Sequence, residues 1–399
     1  MISDISSIHD GTRYRIKDKE KALVFQEIFT NAPVSCKAIS QKLKLRPTTV
    51  SLAAQELIDD KLVQVDTIKR PVKPGRPEVL LKPEYNHYVA VTLYVEAREV
   101  KGALVNLGEE VLYKAQIYLG AETTNGRFLA GCKNLIREIT AHSPTNAEVL
   151  GIGVSLIGTV DSMKKIWIST ARWRKIRNLD FHALERALNY SVVLRRIQDT
   201  ELEYLIEKKK DYKKMNVMLF HWGFGIGAAY AQSGVVLGSA IGRFCEIGHT
   251  RISLKSKKMC QCGTYGCLET EAAMWALIPK MKKYLKNIPI DEIEFSHVLA
   301  EKEIAELPVV VNALNYVKQG IVNLHQLFYP DTIFFIGPFT ENKKIFQELV
   351  KHLKSSMPDY ARRKVKVEVI ETGFTGGMFA AVYPFFKTKL RELLTIRSF

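Results

Sequence analysis

No stretch of this sequence approaches the ~18 consecutive apolar residues of a membrane-spanning helix. Met1 to Glu20 is polar and charged and lacks the apolar centre of a secretory signal. The expectation is therefore a cytoplasmic protein with no membrane partner. Cysteine is sparse: six in 399 residues, at positions 36, 132, 245, 260, 262 and 267. Their clustering speaks against a disulfide framework and for a metal site in a reducing compartment. No short-period repeat or low-complexity tract occurs, which excludes a solenoid. Acidic residues are outnumbered, 42 Asp and Glu against 58 Lys and Arg, for a net charge of +16. Such an excess points to a polyanionic partner, nucleic acid first. Residues 1–84 carry only +4 of it. Much of the remainder sits in short runs, such as Lys255 to Lys258 and Lys280 to Lys286, that read as solvated faces. What is present is ordinary globular composition, 47% hydrophobic and 25% charged, in a length that predicts two or three domains.

Residues 1–18 read as an N-terminal arm. From Lys19 to Thr30 the positions Ala22, Leu23, Phe25, Ile28 and Phe29 repeat at helical spacing. Asn31-Ala32-Pro33 ends that helix. Ser35 caps a second one, Cys36 to Leu43, and after Lys44-Leu45-Arg46 a third starts at Pro47 and runs to about Asp59. Its inward positions are Val50, Ala54, Leu57 and Ile58. Two β-like stretches, Leu62 to Ile68 and Glu78 to Leu81, flank a Pro-rich basic segment from Lys69 to Pro77. Three helices and a β-hairpin over residues 19–84 make a winged helix–turn–helix, whose third helix enters the major groove of double-stranded DNA. The DNA-contact set is Lys37, Arg46, Thr48, Thr49, Ser51 and Gln55 on the helices and Lys69, Arg70, Lys73 and Arg76 in the wing. Hydroxyl and amide groups suit base edges, and the cations suit phosphates. Pro74-Gly75-Arg76-Pro77 resembles the short Gly-Arg-Pro hooks that enter A·T-rich minor grooves; a stiff hinge between domains is the alternative.

From Tyr85 the pattern changes. Val89 to Leu93, Gly102 to Asn106 and Val111 to Tyr118 read as consecutive strands, Phe128 to His142 as a helix, and Val149 to Ser155 and Val192 to Ile197 as buried strands. Asn216 to His221 and Ala228 to Gln232 form a strand pair. Glu269 to Leu285 and Val309 to Phe328 are helical. Strand Thr332 to Ile336, helix Lys343 to Ser355, strand Val365 to Ile370 and helix Thr375 to Phe385 complete the chain. Strand triplets alternating with helices, twice over, predict a two-lobed α/β domain over residues 85–399 with a cleft between the lobes. Lobe one covers about 85–197 plus 375–399, and lobe two about 198–374.

The strongest chemical signal is His249, ten intervening residues, then Cys260-Gln261-Cys262 and Cys267. One imidazole and three thiolates are the donor set of a closed tetrahedral structural zinc site. With no open position for water, the expectation is one structural zinc per chain that folds a loop and does no chemistry.

These residues, in this order, resemble the ROK family (repressor, open reading frame, kinase), in its transcriptional-regulator branch with an N-terminal winged helix–turn–helix. The glycine-rich run His221-Trp222-Gly223-Phe224-Gly225-Ile226-Gly227-Ala228 and the Gly151 to Asp161 segment are similar as well. The resemblance implies an actin/hexokinase-like fold of two ribonuclease-H-like lobes. It places Gln198, Asp199, Glu246, His249 and Glu269 where the family's kinases bind sugar hydroxyls, with Asp199 as their general base. His249 could then ligate zinc through one ring nitrogen and face ligand with the other.

Two stretches depart from the kinases. Thr92-Leu93-Tyr94-Val95-Glu96 stands where a glycine-bearing phosphate loop is usual, with bulky side chains and a negative charge instead. Gln198 and Glu201 replace asparagines, and Ala171 or Arg172 falls near a third. No catalytic residue is therefore expected. The reading is a repressor of carbohydrate-related genes that dimerises or tetramerises on an operator and responds to a sugar or sugar-phosphate effector. A ROK sugar kinase carrying an added DNA-binding domain and a ligand-blind dimeric DNA-binding protein remain as alternatives.

Overall fold

The computed structural model describes residues 16–69, 78–242, 244–301, 304–358 and 365–394. The chain starts with α1 (Ile16–Asn31), β1 (Val34–Ser35), α2 (Cys36–Leu43), α3 (Pro47–Asp59), β2 (Val63–Lys69) and β3 (Glu78–Pro83). Local chemistry sets these boundaries. The Ser35 hydroxyl accepts the Ala38 N–H at 3.3 Å, Lys44 ends α2 in the left-handed region at φ 55°, and Pro47 occupies the first turn of α3. The brief β1 pairs with β3, giving a three-stranded sheet in the order β1-β3-β2. Val50, Ala53, Ala54 and Leu57 are buried in the core at helical spacing, and Ile58 packs against it partly buried. This core does not stop at residue 83. Phe25, Ile28, Ile39 and Val50 belong to one cluster with Tyr88, Ala90, Val382, Phe386 and Leu390 from farther along the chain. The Tyr88 hydroxyl donates to the Asp60 carbonyl at 2.8 Å, and Lys21 pairs with Asp60 at 2.8 Å.

The next elements are β4 (Tyr88–Glu96), β5 (Glu99–Asn106), β6 (Val111–Tyr118), α4 (Asn125–Thr140), β7 (Glu148–Leu156), β8 (Thr159–Asp161), β9 (Ile166–Ser169), β10 (Arg177–Asp180), α5 (His182–Leu188) and β11 (Val192–Arg196). They build a five-stranded sheet, β11-β7-β4-β5-β6, and a small sheet β10-β9-β8 beside it. Strands β4, β5 and β6 form an antiparallel meander, while β7 and β11 add in parallel on the other side. Then follow α6 (Ile197–Lys208), β12 (Val217–Trp222), β13 (Ile226–Gln232), β14 (Val235–Val236), α7 (Leu268–Ala272), α8 (Met274–Met281), α9 (Glu292–Glu301), α10 (Pro308–Phe328), β15 (Thr332–Ile336), α11 (Pro338–Glu341), α12 (Lys343–Ser355), β16 (Lys366–Ile370) and α13 (Gly377–Leu394). The second sheet, β14-β13-β12-β15-β16, repeats the first: a meander, then two parallel strands. Helices α6 and α13 pack on each other, α13 covers β4 and β7, and α6 lies on β12 and β13, so the two sheets are joined through this helix pair.

Three sequence expectations need correction. Strand β11 ends at Arg196, and the unassigned stretch after it is α6. The helix expected over 269–285 is two helices, broken at Ala273 (φ −70°, ψ 146°), and it ends at Met281. The break is imposed by tertiary bonds: Met274 N–H donates to the Gly223 carbonyl at 3.0 Å and Trp222 Nε1–H to the Ala272 carbonyl at 2.8 Å. The last helix runs past Phe385 to Leu394 because its far end buries Phe386, Leu390 and Leu394 in the core shared with α1.

Candidate functional site: cleft, metal cluster and DNA-reading face

The cleft between the two sheets is lined by Gln198, Glu246, His249 and Glu269, four of the five residues expected there. Asp199 corrects the expectation. It is 1% exposed and lies off the cleft lining, clamped by Arg196 through Nε to Oδ2 at 3.2 Å and Nη2 to Oδ1 at 2.8 Å. At the first turn of α6 its side chain points to the strand it follows, where a buried carboxylate needs a counter-ion. Arg196 also donates to Glu246 Oε1 at 2.7 Å and to the Ala228 carbonyl at 3.0 Å. Burial lowers the guanidinium's proton affinity, but Asp199 and Glu246 outweigh it and the net shift is upward. This one side chain therefore joins β11, α6, β13 and the segment that carries His249.

Glu269 is buried against the glycine-rich turn between β12 and β13. Its Oε1 accepts the Ile226 N–H at 2.9 Å, and a Cβ on Gly225 would crowd that oxygen at 2.8 Å. Glu292 holds the same turn two residues earlier. Its Oε1 accepts the Phe224 N–H at 2.8 Å and Arg172 Nη2–H at 3.3 Å, and its Oε2 lies 2.9 Å from His221 Nε2. A Cβ on Gly223 would collide with this carboxylate. Arg172 stacks 3.6 Å over the Phe224 ring and donates to the Ile290 carbonyl at 2.7 Å. Burial pushes the Glu292 carboxyl up, but His221, Arg172 and the Phe224 N–H bring it down to about 2. The His221 imidazole is raised: burial works against its charge, and Glu292, Glu201 and Glu96 more than compensate.

Where a phosphate loop is usual, Tyr94 is buried and its hydroxyl donates to Glu201 Oε1 at 2.6 Å, while Glu96 pairs with Lys101 at 3.1 Å. Burial, reinforced by Glu96 and Glu292 and opposed by Tyr94 and His221, pushes the Glu201 carboxyl up to about 8. A folded-state value above the unfolded 4.5 means that this group costs stability progressively as pH rises from the unfolded value through about 8. Glu201→Gln keeps an acceptor for Tyr94 and removes the charge. The variant should melt higher than the parent at about pH 8.5, with the difference vanishing near about pH 5. Parallel melting-temperature profiles across this range would contradict it.

His249, Cys260, Cys262 and Cys267 converge, with one ligand atom from each and all four within 4.8 Å of one another. His249 Nδ1 lies 3.5 Å from Cys260 Sγ, and Cys262 Sγ lies 3.6 Å from Cys267 Sγ. A tetrahedral ion with sulfurs about 2.3 Å away separates its ligand atoms by about 3.5–3.8 Å, so the cluster fits one. The Thr264 hydroxyl, 3.1 Å from both Cys262 and Cys267 sulfurs, supports the ligands from outside. With Nδ1 turned to the thiols, His249 Nε2 faces Glu246 at 4.0 Å, on the cleft side.

On α2 and α3, Lys37, Arg46, Thr48, Ser51 and Gln55 are exposed and Thr49 is half-buried, all on the side opposite the core. Arg70, Lys73, Arg76 and the side chain of Lys69 lie outside the described residues. Among the described residues no helix is long and apolar enough to cross a membrane.

The model of the ROK family matches residues 93–383. The chain belongs to the ROK family. It is 23% identical over 385 residues to the xylose repressor of Caldicellulosiruptor bescii, covering 90% of this chain and 94% of that protein. Among solved structures, a ROK family transcriptional regulator described as a homologue of Escherichia coli Mlc superposes with a TM-score of 0.72 at 23% identity, covering 95% of this chain and 98% of that one. The ROK hexokinase of Thermus thermophilus superposes with a TM-score of 0.57 at 18% identity, covering 73% of this chain and 96% of its own. The expected two-lobed, hexokinase-like α/β fold is thus the fold of this ROK chain.

Sequence reasoning missed Arg196 and Glu292 as organisers of the ROK cleft. Arg196 had a signal, two arginines closing the apolar run Val192 to Leu194, which a solvent-facing strand end explains equally well. Glu292 had none, since its partners Phe224, His221 and Arg172 lie 68, 71 and 120 residues away.

Proposed function

We propose that this ROK protein is a DNA-binding transcriptional repressor of carbohydrate-related genes, with residues 19–84 as the DNA reader and residues 85–399 as a two-lobed effector domain. The observation that carries this reading is the exposed polar face of α3 on a helical head whose core is continuous with β4 and α13. A head packed in this way changes its orientation when the lobe beneath it moves. The repressor and regulator relatives support the same reading.

The effector is a sugar or sugar phosphate held in the cleft by Gln198, Glu246, Glu269 and the Nε2 of His249. Zinc, one ion per chain, is held by His249 Nδ1, Cys260, Cys262 and Cys267 and braces the loop that presents Glu246 and Glu269. No catalytic residue is assigned: Tyr94 and Val95 stand where a nucleotide's phosphates would need glycine, Glu96 adds a negative charge there, and Asp199 is spent on Arg196. The protein works in the cytoplasm as a homodimer or tetramer, since one helix–turn–helix reads too few base pairs alone. Lys69, Arg70, Lys73 and Arg76 are assigned to the wing's contacts with the minor groove and flanking phosphates.

The test is binding of full-length protein to DNA selected from a random pool, with sugars added afterwards. Gln55→Ala should cost about 1–3 kcal/mol and relax preference at one base position, whereas Arg46→Ala should weaken all sequences alike and lower the salt slope by about one. Selected DNA that binds no better than random DNA would refute the reading.

A further inference from the structure

The glycine turn between β12 and β13 carries a feature that sugar binding does not require. Three donors from two distant regions of the chain converge on one small space: the Phe224 N–H and the His221 ring from the β12 hairpin, and the Arg172 guanidinium. Arg172 comes from the segment between β9 and β10, on the other side of the cleft from β12. Its side chain is 3% exposed. Backbone N–H, imidazole and guanidinium around one point form an oxyanion site. Its occupant is already present. The Glu292 carboxylate takes a bond from each donor, and its side chain is 10% exposed. Glu96, at the end of β4 on the first-sheet side of the cleft, stands nearby and adds negative potential.

We propose that Glu292 is the built-in occupant of an oxyanion site formed by Phe224, His221 and Arg172, and that it restricts the cleft to uncharged sugars by excluding phosphorylated ones. The second half rests on the reading of the cleft as a sugar site and narrows its effector from a sugar or sugar phosphate to the uncharged sugar. The physical reason is competition at fixed distance. A carboxylate tethered at the start of α9 meets its donors without loss of translational freedom, so a free phosphate must displace it at a disadvantage. The occupied site also ties the two sides of the cleft together, because Arg172 reaches across to Glu292 and to the Ile290 carbonyl.

Inorganic phosphate titrated calorimetrically into full-length protein, with chloride at matched ionic strength as control, tests the site itself. The parent should show no saturable heat up to about 10 mM, while Glu292→Ala should bind phosphate at least about tenfold more tightly than that ceiling. Adding Arg172→Met to the variant should abolish the gain. If Glu292→Ala is unfolded in chloride, phosphate should restore its circular-dichroism signal. A saturable phosphate site in the parent overturns the proposal. So does a Glu292→Ala chain that is folded without binding phosphate, or unfolded without being restored by it. A separate arm compares free hexoses and N-acetylhexosamines with their 6-phosphates on the parent. The free sugar should bind at least about tenfold more tightly, and tighter binding of the ester overturns the restriction. If neither binds, the sugar reading and the restriction fall together, and the phosphate arm alone decides whether Glu292 fills an oxyanion site.

Discussion

Cys262→Ala should release the loop from Arg251 to Cys267 and abolish ligand binding in the cleft with it. The loop has almost no core of its own. Of its apolar side chains, Leu254 is 77% and Met259 60% exposed, Ile252 packs partly buried against the core, and the groups buried most fully are the thiols of Cys260 and Cys267. Its backbone is tied by short-range bonds, among them Cys260 N–H to the Thr264 carbonyl at 2.7 Å, Ile252 N–H to the Gly266 carbonyl at 2.9 Å and Gly263 N–H to the Cys260 carbonyl at 3.0 Å, and Ser256 and Lys258 anchor it to Glu271 at 2.6 and 2.5 Å. Four convergent ligands must therefore supply most of the closure. Structural zinc contributes about 10–16 kcal/mol where a small fold depends on it, more than a handful of exposed hydrogen bonds at about 1 kcal/mol each return. Elemental analysis should find close to one zinc per chain in the parent and a large loss in the variant. Trypsin should then cut at Lys255, Lys257 and Lys258, which the parent protects. Parent-like resistance in a chain free of metal would show that the loop closes without it.

Arg196→Met should be the most destabilising single change in the cleft. It leaves the Asp199 carboxylate, 1% exposed, with no counter-ion, and such a broken buried pair costs about 3–5 kcal/mol. It also frees Glu246, so sugar affinity should fall in whatever fraction remains folded. Removing both charges tests the cause. Arg196→Met with Asp199→Leu should recover much of the loss, because apolar pairs of similar volume replace buried ion pairs at little cost. Urea denaturation of parent, single and double variants measures both effects. A single variant within about 1 kcal/mol of the parent would mean that solvent reaches Asp199 after the change.

How much was legible varies with the reach of each feature. The three N-terminal helices were readable because their periodicity and their caps, Ser35 and Pro47, act within a few residues. The cluster of His249, Cys260, Cys262 and Cys267 was readable because donor chemistry and close spacing within one loop restrict the outcome to few geometries. The break at Ala273 was not, since nothing local disfavours helix there and the bonds that open it come from Gly223 and Trp222. Asp199 was assigned to the cleft because its position matches a ligand position of the ROK kinases. Position does not state orientation, and the neighbouring Arg196 decided that.

By itself, then, the sequence determined the order and type of the main elements, the cluster of His249, Cys260, Cys262 and Cys267, the polar face of α3 and the resemblance to the ROK family, because each is written in short-range spacing or in residue chemistry. Only the tertiary structure decided which charges face the cleft and which are consumed. Arg196 with Glu246 is a contact across 50 residues, and Arg172 with Glu292 one across 120. Such pairs leave no periodic trace. A buried charge must find a partner, but the chain's topology, not its local order, determines which one comes within reach.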